Sequence, residues 1–243
     1  MVVVIADDIT GAAEMAGIAL RYGLKTIVAG DVVADAELEV LIIYSNTRSL
    51  KKEEAVENMA NLTKKAMQLK PYLFYKKTDS VLRGHILAEM KAQMQVLNVG
   101  KGLLVPVNPS LGRIISNGKY YVYGELIHQT SFFNDPEFPI SNPNVLAMLG
   151  NEGISVSVAT HNSSLEEDGI FVGEAKDNEE VLDWATKVDK RTLAAGGASF
   201  FNALLSRKYH LKKEGKAPRE LSSPILLISG TTFQRNVQRT RTY

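Results

Sequence analysis

Val2-Val3-Val4-Ile5-Ala6-Asp7-Asp8-Ile9-Thr10-Gly11 is the stretch that decides the fold. Four apolar residues at the N-terminus, three of them Val, suit a strand buried on both faces. Two carboxylates follow at once. Thr10 is placed to cap a helix, its hydroxyl accepting an early backbone N–H. Met15, Ile18, Ala19 and Tyr22 recur at helical spacing, and Gly23 stands where a C-terminal glycine belongs. Asp7 and Asp8 therefore lie at the carboxyl end of a central strand, beside a helix N-terminus, where open α/β sheets bind ligands. Two readings remain open. The acids can serve only the helix start, where negative charge meets the macrodipole favourably. Alternatively, adjacent carboxylates that repel each other invite a cation or a substrate proton.

Outward from this stretch, strand-like and helix-like segments alternate. Short buried strands are expected over Thr26–Ala29 and Val40–Tyr44, then a long helix over Ser49–Leu69 with a stripe of Ala55, Met59, Leu62, Ala66 and Leu69. A strand over Tyr72–Lys76, a helix over Val81–Leu97 and a strand at Leu103–Val105 follow. This is the rhythm of a three-layer, mostly parallel, Rossmann-like sheet with helices on both faces. The rhythm breaks over residues 106–143, where five prolines and the run Tyr120, Tyr121, Tyr123 suggest a long functional loop with a hairpin. It resumes with strands at Ser155–Ala159 and Ile170–Val172 and helices at Asn178–Val188 and Ala198–Ser206. A charged segment with Gly215 and Pro218 looks like a linker, and Ile225–Ile228 reads as one more strand.

Composition narrows the function classes. The chain has 243 residues, 45% hydrophobic and 23% charged, enough for a sizeable core. A formal net charge of +1 argues against a dedicated nucleic-acid binder. The absence of cysteine excludes a disulfide framework, a thiol nucleophile and a zinc–thiolate site. No apolar run approaches a membrane span and the N-terminus is not a signal peptide, so a cytoplasmic protein is expected.

A second polar strand end is Lys76-Lys77-Thr78-Asp79-Ser80-Val81-Leu82-Arg83-Gly84. Lys77, Asp79, Ser80 and Arg83 supply two cations, a carboxylate and a hydroxyl, and a helix start adds anion-binding N–H groups. The set suits a small polyhydroxylated anion, with Arg83 gripping a carboxylate and Asp79 accepting from hydroxyls. The structural alternative is an Asp79–Arg83 pair one helical turn apart. A third cluster, Gly112-Arg113 with Asn117-Gly118-Lys119, misses the phosphate-loop pattern in both spacing and its final hydroxyl residue. Arg113 is either a lid cation or a plain solvated arginine. The four histidines lack metal-ligand spacing. No G-x-G-x-x-G follows the first strand, and Tyr44-Ser45-Asn46 lacks the third aspartate of a phospho-receiver domain.

Ala6-Asp7-Asp8-Ile9-Thr10-Gly11-Ala12, Lys77 to Gly84, and Gly112-Arg113 with Asn117-Gly118 and Asp135-Pro136 together resemble the four-carbon acid sugar kinase family, long catalogued as a domain of unknown function. The resemblance covers roughly residues 1–206, the family's N-terminal substrate-binding domain. It implies a domain over 1–207 that binds a sugar acid of threonate, erythronate or 3-oxo-tetronate type. It also implies a linker over 208–224 and the start of an ATP-binding domain over 225–243, with Thr231 where the family usually has a nucleotide-contacting serine. Implied cofactors are ATP and Mg2+, with phosphate going to the terminal hydroxyl. The implied roles are Asp8 as base or orienter and Asp7 as its support or a magnesium ligand. Arg83 and Lys77 take the substrate carboxylate, Asp79 and Ser80 its hydroxyls, Thr10 fixes the turn, Gly84 belongs to the substrate-binding run, and Arg113 closes over the ligand. Most of the ATP domain is lacking, so the chain is expected to be inactive alone. The alternatives are a catalytically silent sugar-acid-binding module or truncated remnant and, last, an aspartate-nucleophile phosphohydrolase. No nucleic-acid or membrane partner is expected, and a homo-oligomer is possible.

Overall fold

Val2–Ala6 forms β1, and all five of its residues are buried. The reason is visible in the alternation of its side chains. Val2, Val4 and Ala6 join a core cluster with Met15 and Ala19, while Val3 and Ile5 join a second cluster with Met59, Leu62 and Ala66. A strand covered on both faces reads as a continuous apolar run. The computed structural model describes residues 1–212, which form one unit, Met1–Lys212. Thr231 and the expected domain start at 225–243 lie outside the described residues, as does most of the expected linker.

From β1 the chain enters α1 (Ile9–Arg21), then β2 (Thr26–Ala29), β3 (Val40–Tyr44), α2 (Lys52–Met67), β4 (Leu73–Lys77), α3 (Ile86–Leu97) and β5 (Lys101–Val105). Next come β6 (Arg113–Ser116), β7 (Lys119–Val122), β8 (Glu125–Leu126) and the short α4 (Val145–Leu149). The unit closes with β9 (Val156–Ala159), β10 (Gly169–Gly173), α5 (Asn178–Thr186), β11 (Thr192–Gly196) and α6 (Ala198–Ser206). The main sheet has eight strands in the order β2-β3-β1-β4-β11-β5-β10-β9. Among the described residues every pairing in it is parallel, in keeping with the expected mostly parallel sheet. α1 and α5 pack on α6, whereas α2 packs on α3, giving helical layers on the two faces. Ala6 stands opposite both Tyr44 and Lys77, so the carboxyl ends of β3, β1 and β4 are level.

Differences from the sequence expectations have local causes. α1 starts at Ile9, and Asp8 rather than Thr10 is its cap, accepting from the Gly11 N–H at 2.6 Å. α3 starts at Ile86, not Val81, because Leu82 (φ 65°) and Gly84 (φ 91°) adopt left-handed backbone that no helix continues. The sequence expectations assign no element to residues 192–196, and β11 forms there between β4 and β5. Residues 106–143 do contain the expected hairpin, β6–β7, turned by Asn117 (φ 51°) and Gly118 (φ 69°), and β8 extends it to three antiparallel strands. The only tryptophan in the sequence, Trp184 on α5, is fully buried and donates from Nε1 to the Glu174 carbonyl at 2.7 Å. Among the described residues no helix is long and apolar enough to cross a membrane.

Candidate functional site

The helix after β1 leaves on one face of the sheet, whereas those after β3 and β4 lie on the other. The connections therefore diverge at the carboxyl end of β1, the position at which open α/β sheets bind ligands. Asp7 and Asp8 come from β1, the segment 45–48 from β3, and the segment 78–84 from β4.

Arg48 ties these strand ends together. Its Nε donates to Asp7 Oδ2 at 2.8 Å, one terminal nitrogen pairs with Asp8 Oδ2 at 2.8 Å, and the other stands 3.8 Å from Asp79 Oδ1. The acidic and basic turns thus share one cluster. Burial opposes the charge on Arg48, but the Asp7 hydrogen bond and the three carboxylates outweigh it and hold the guanidinium protonated. Gly84 borders the same group: a Cβ there would lie 3.3 Å from Arg48 Cγ. No sequence argument singled out Arg48. The available signal was its place just past β3, a strand flanking β1, which obeys the same strand-end rule.

Asp79 accepts from the Arg83 guanidinium through both oxygens, at 2.9 and 2.8 Å, and from the Val81 and Arg83 backbone N–H groups. Burial pushes its carboxyl up, but Arg83 and Arg48 more than offset this and hold it below the usual carboxylate range. The remaining Arg83 terminal nitrogen donates to Asp135 Oδ2 at 2.9 Å. Arg83 is therefore already gripped by two carboxylates, and the Asp79–Arg83 pair of the structural alternative is present, though outside a helix. Asp135 fastens the inserted region to the basic turn.

Lys77 Nζ donates to the Thr78 carbonyl at 2.9 Å and lies 3.5 Å from Glu14 Oε2. It crosses Gly11, where a Cβ would stand 2.7 Å from Asp8 Oδ1 and 3.2 Å from Lys77 Nζ; only glycine leaves room for both. Ser80 Oγ accepts from an Arg113 terminal nitrogen, which brings β6 to the β4 turn. Arg83 and Arg113 each stand 5.9 Å from the Phe132 ring centroid. Among the described residues no carboxylate pairs with Arg113. Thr10 is exposed in the first turn of α1, so it does not fix the turn by capping.

Because α3 begins at Ile86, the expected helix dipole after Ser80 is not part of this site. A cleft of about 370 Å³ opens beside Arg83 and Gly84, bordered by Pro139, Ile140 and Met148, and Asp7, Asp8 and Lys77 do not line it. Among the described residues no group of three or more His, Asp or Glu could hold a metal ion. The Arg48 guanidinium lies between Asp7, Asp8 and Asp79 and pairs with Asp7 through Oδ2, while Asp7 Oδ1 is buried and has no hydrogen-bond partner among the described residues.

Known proteins are similar to this chain in sequence or in fold. The chain is 29% identical over 208 residues to a D-erythronate kinase of Heliobacterium modesticaldum, covering 80% of this chain and 47% of the relative. It is 26% identical to a 3-oxo-tetronate kinase of Brucella melitensis (95% and 59% covered). It is 24% identical to a D-threonate kinase of Salmonella typhimurium (94% and 57%). The chain thus spans about half the length of these relatives. A Haemophilus influenzae protein shares the fold at TM-score 0.77 and 22% identity, covering 84% of this chain and 55% of that one. So does a Bordetella bronchiseptica domain of unknown function, solved with bound citrate as a domain-swapped dimer, at TM-score 0.73 and 23% identity (84% and 55%). The family model described as a sugar-binding N-terminal domain matches residues 2–204, most of the chain, and to that family this protein belongs.

Proposed function

We propose that the chain is the sugar-acid-binding half of an ATP-dependent kinase acting on the terminal hydroxyl of a four-carbon sugar acid of threonate, erythronate or 3-oxo-tetronate type. The observation that carries the reading is the Arg48 cluster, which holds Asp7, Asp8 and Asp79 together at one end of the sheet. The names of the relatives support the substrate class.

Phosphoryl transfer asks a protein mainly for positioning and electrostatics. Asp8 keeps one oxygen on Gly11 and the other on Arg48 and is partly exposed, so a substrate hydroxyl can reach it. It orients the terminal hydroxyl and takes its proton as the new O–P bond forms. Asp7, nearly fully buried, supports the pair through Arg48. The carboxylate goes to Arg113, the site guanidinium without a carboxylate partner among the described residues, and Lys77 adds positive charge at the Asp8 end. Arg83, engaged by Asp79 and Asp135, aligns Asp79, and Arg113 holds Ser80, for the substrate hydroxyls. ATP, when bound, would supply the phosphoryl group from its γ-position and leave as ADP.

Calorimetry with D-threonate, D-erythronate and 3-oxo-tetronate tests the reading. Saturable binding of one of them, weakened in Arg113→Ala, is expected; no heat from any of the three at millimolar concentration refutes it. Binding without turnover of ATP and Mg2+ would make the chain a binding module.

A further inference from the structure

Beneath the loop that carries Arg48 lies a second set of charges that the proposed chemistry does not use. Lys76 Nζ and Glu89 Oε2 pair at 2.8 Å, their side chains only 1% and 2% exposed. Glu89 Oε1 accepts from the Thr47 hydroxyl. Thr47 Oγ1 is 2.9 Å from Ser45 Oγ, which donates to the Ala6 carbonyl at 2.9 Å. The Thr47 N–H donates to the Asp7 carbonyl at 3.0 Å, and Lys76 Nζ to the Lys77 carbonyl at 3.2 Å. One polar chain thus runs from α3 through β4 to the ends of β3 and β1. It ends on the residue that precedes Arg48.

A buried ion pair is a poor source of stability, since apolar residues of similar volume commonly do as well. Its contribution here is directional. Thr47 is fully buried, and its hydroxyl is fixed toward α3. Asn46 turns the backbone through left-handed space just before it (φ 54°). With Thr47 anchored, Arg48 is left to face Asp7 and Asp8. We propose that Glu89 and Thr47 are positioning residues that hold Arg48, and through it Asp8, in register for the sugar acid. The role in binding rests on the proposed sugar-acid site; the hold on Arg48 does not.

The test compares wild type with Thr47→Val, Thr47→Ser and Glu89→Gln. Two signals are read: affinity for the four-carbon acid by calorimetry, and the Arg48 Nε–H resonance by NMR. Thr47→Val removes the hydroxyl while leaving Lys76 and Glu89 paired. It is expected to bind about 10- to 100-fold more weakly, the scale set by small misplacements of a site group. Its Arg48 resonance should shift and exchange faster with solvent. Thr47→Ser restores both signals, which a merely structural role would not require. Glu89→Gln, similar in shape, reads the same two signals independently. Folded Thr47→Val and Glu89→Gln with unchanged Arg48 resonance and affinity within about twofold of wild type would overturn the proposal. If wild type binds none of the three acids, the sugar-acid reading fails, and the NMR comparison still decides whether Thr47 holds Arg48.

Discussion

Arg48→Met is the sharpest perturbation, because it strands the buried Asp7 and takes one of two partners from Asp8, while Asp79 keeps Arg83. One of its contacts is a charge-assisted hydrogen bond, to Asp7 at 2.8 Å, and a second is an ion pair with Asp8 at 2.8 Å. Such a bond contributes about 1.5–3 kcal/mol. The Asp8 side chain is 26% exposed, so water replaces much of that partner and its bond is discounted to about 1 kcal/mol. Asp7 is only 4% exposed, and stranding a buried charge costs about 3 kcal/mol or somewhat more. The sum, about 4 kcal/mol, lowers Tm by roughly 10 °C for a domain of this size. Circular-dichroism melts of Arg48→Met, Asp7→Asn and the double variant measure it. The double variant should be more stable than the sum of the two losses predicts, by about 2 kcal/mol, since residues in contact couple. Arg191→Met, whose side chain is 79% exposed, serves as the control. An Arg48→Met protein melting within about 2 °C of wild type, or additive losses, would refute the view that this guanidinium organises the strand ends.

Asp8→Asn should keep the α1 cap, because asparagine caps as well as aspartate, while phosphorylation, assayed in a full-length kinase background, falls by about 10²–10⁴-fold; undiminished turnover there excludes Asp8 as the base. Gly17→Ala, in open space within α1, should stabilise by up to about 1 kcal/mol, whereas Gly11→Ala should destabilise because its methyl group would press on Asp8 and Lys77. Equal signs in thermal melts would contradict that geometry. Asp79 has its carboxyl held below its ordinary value of 3.8, so its contribution to stability is complete above that pH and fades as pH falls through the lowered folded-state value. The Tm gap between wild type and Asp79→Asn should therefore stay constant from pH 7 to about pH 4 and close below it, and a gap that widens on acidification reverses the sign.

How far the sequence reveals this protein depends on the length of each signal. The Val2–Ile5 run and the stripe of α2 are long and strongly patterned, and both elements stand where the pattern puts them. Thr192–Gly196 is short and rich in small residues, with little β preference, and it becomes a strand because β4 and β5 flank the space it fills. Gly84 was the available warning that a helix could not begin at Val81. At the site, Asp8, Asp79 and Arg83 were legible because they sit in dense polar runs after strands. Arg48 was not, since a lone arginine in a polar loop resembles any solvated one. Its importance comes from β3 lying beside β1, a tertiary fact. The saturation of Arg83 likewise depends on Asp135, 52 positions away.

Trp184 gives the molecule a built-in optical gauge. All indole emission from this chain originates in one side chain, sealed from water against the Glu174 carbonyl and carried by the helix between β10 and β11. That location is remote in sequence from residues 7, 8, 48 and 83. Blue-shifted fluorescence that survives a substitution at any of those positions reports an intact interior around α5, and weakened ligand uptake in such a sample is then a property of the strand-end cluster.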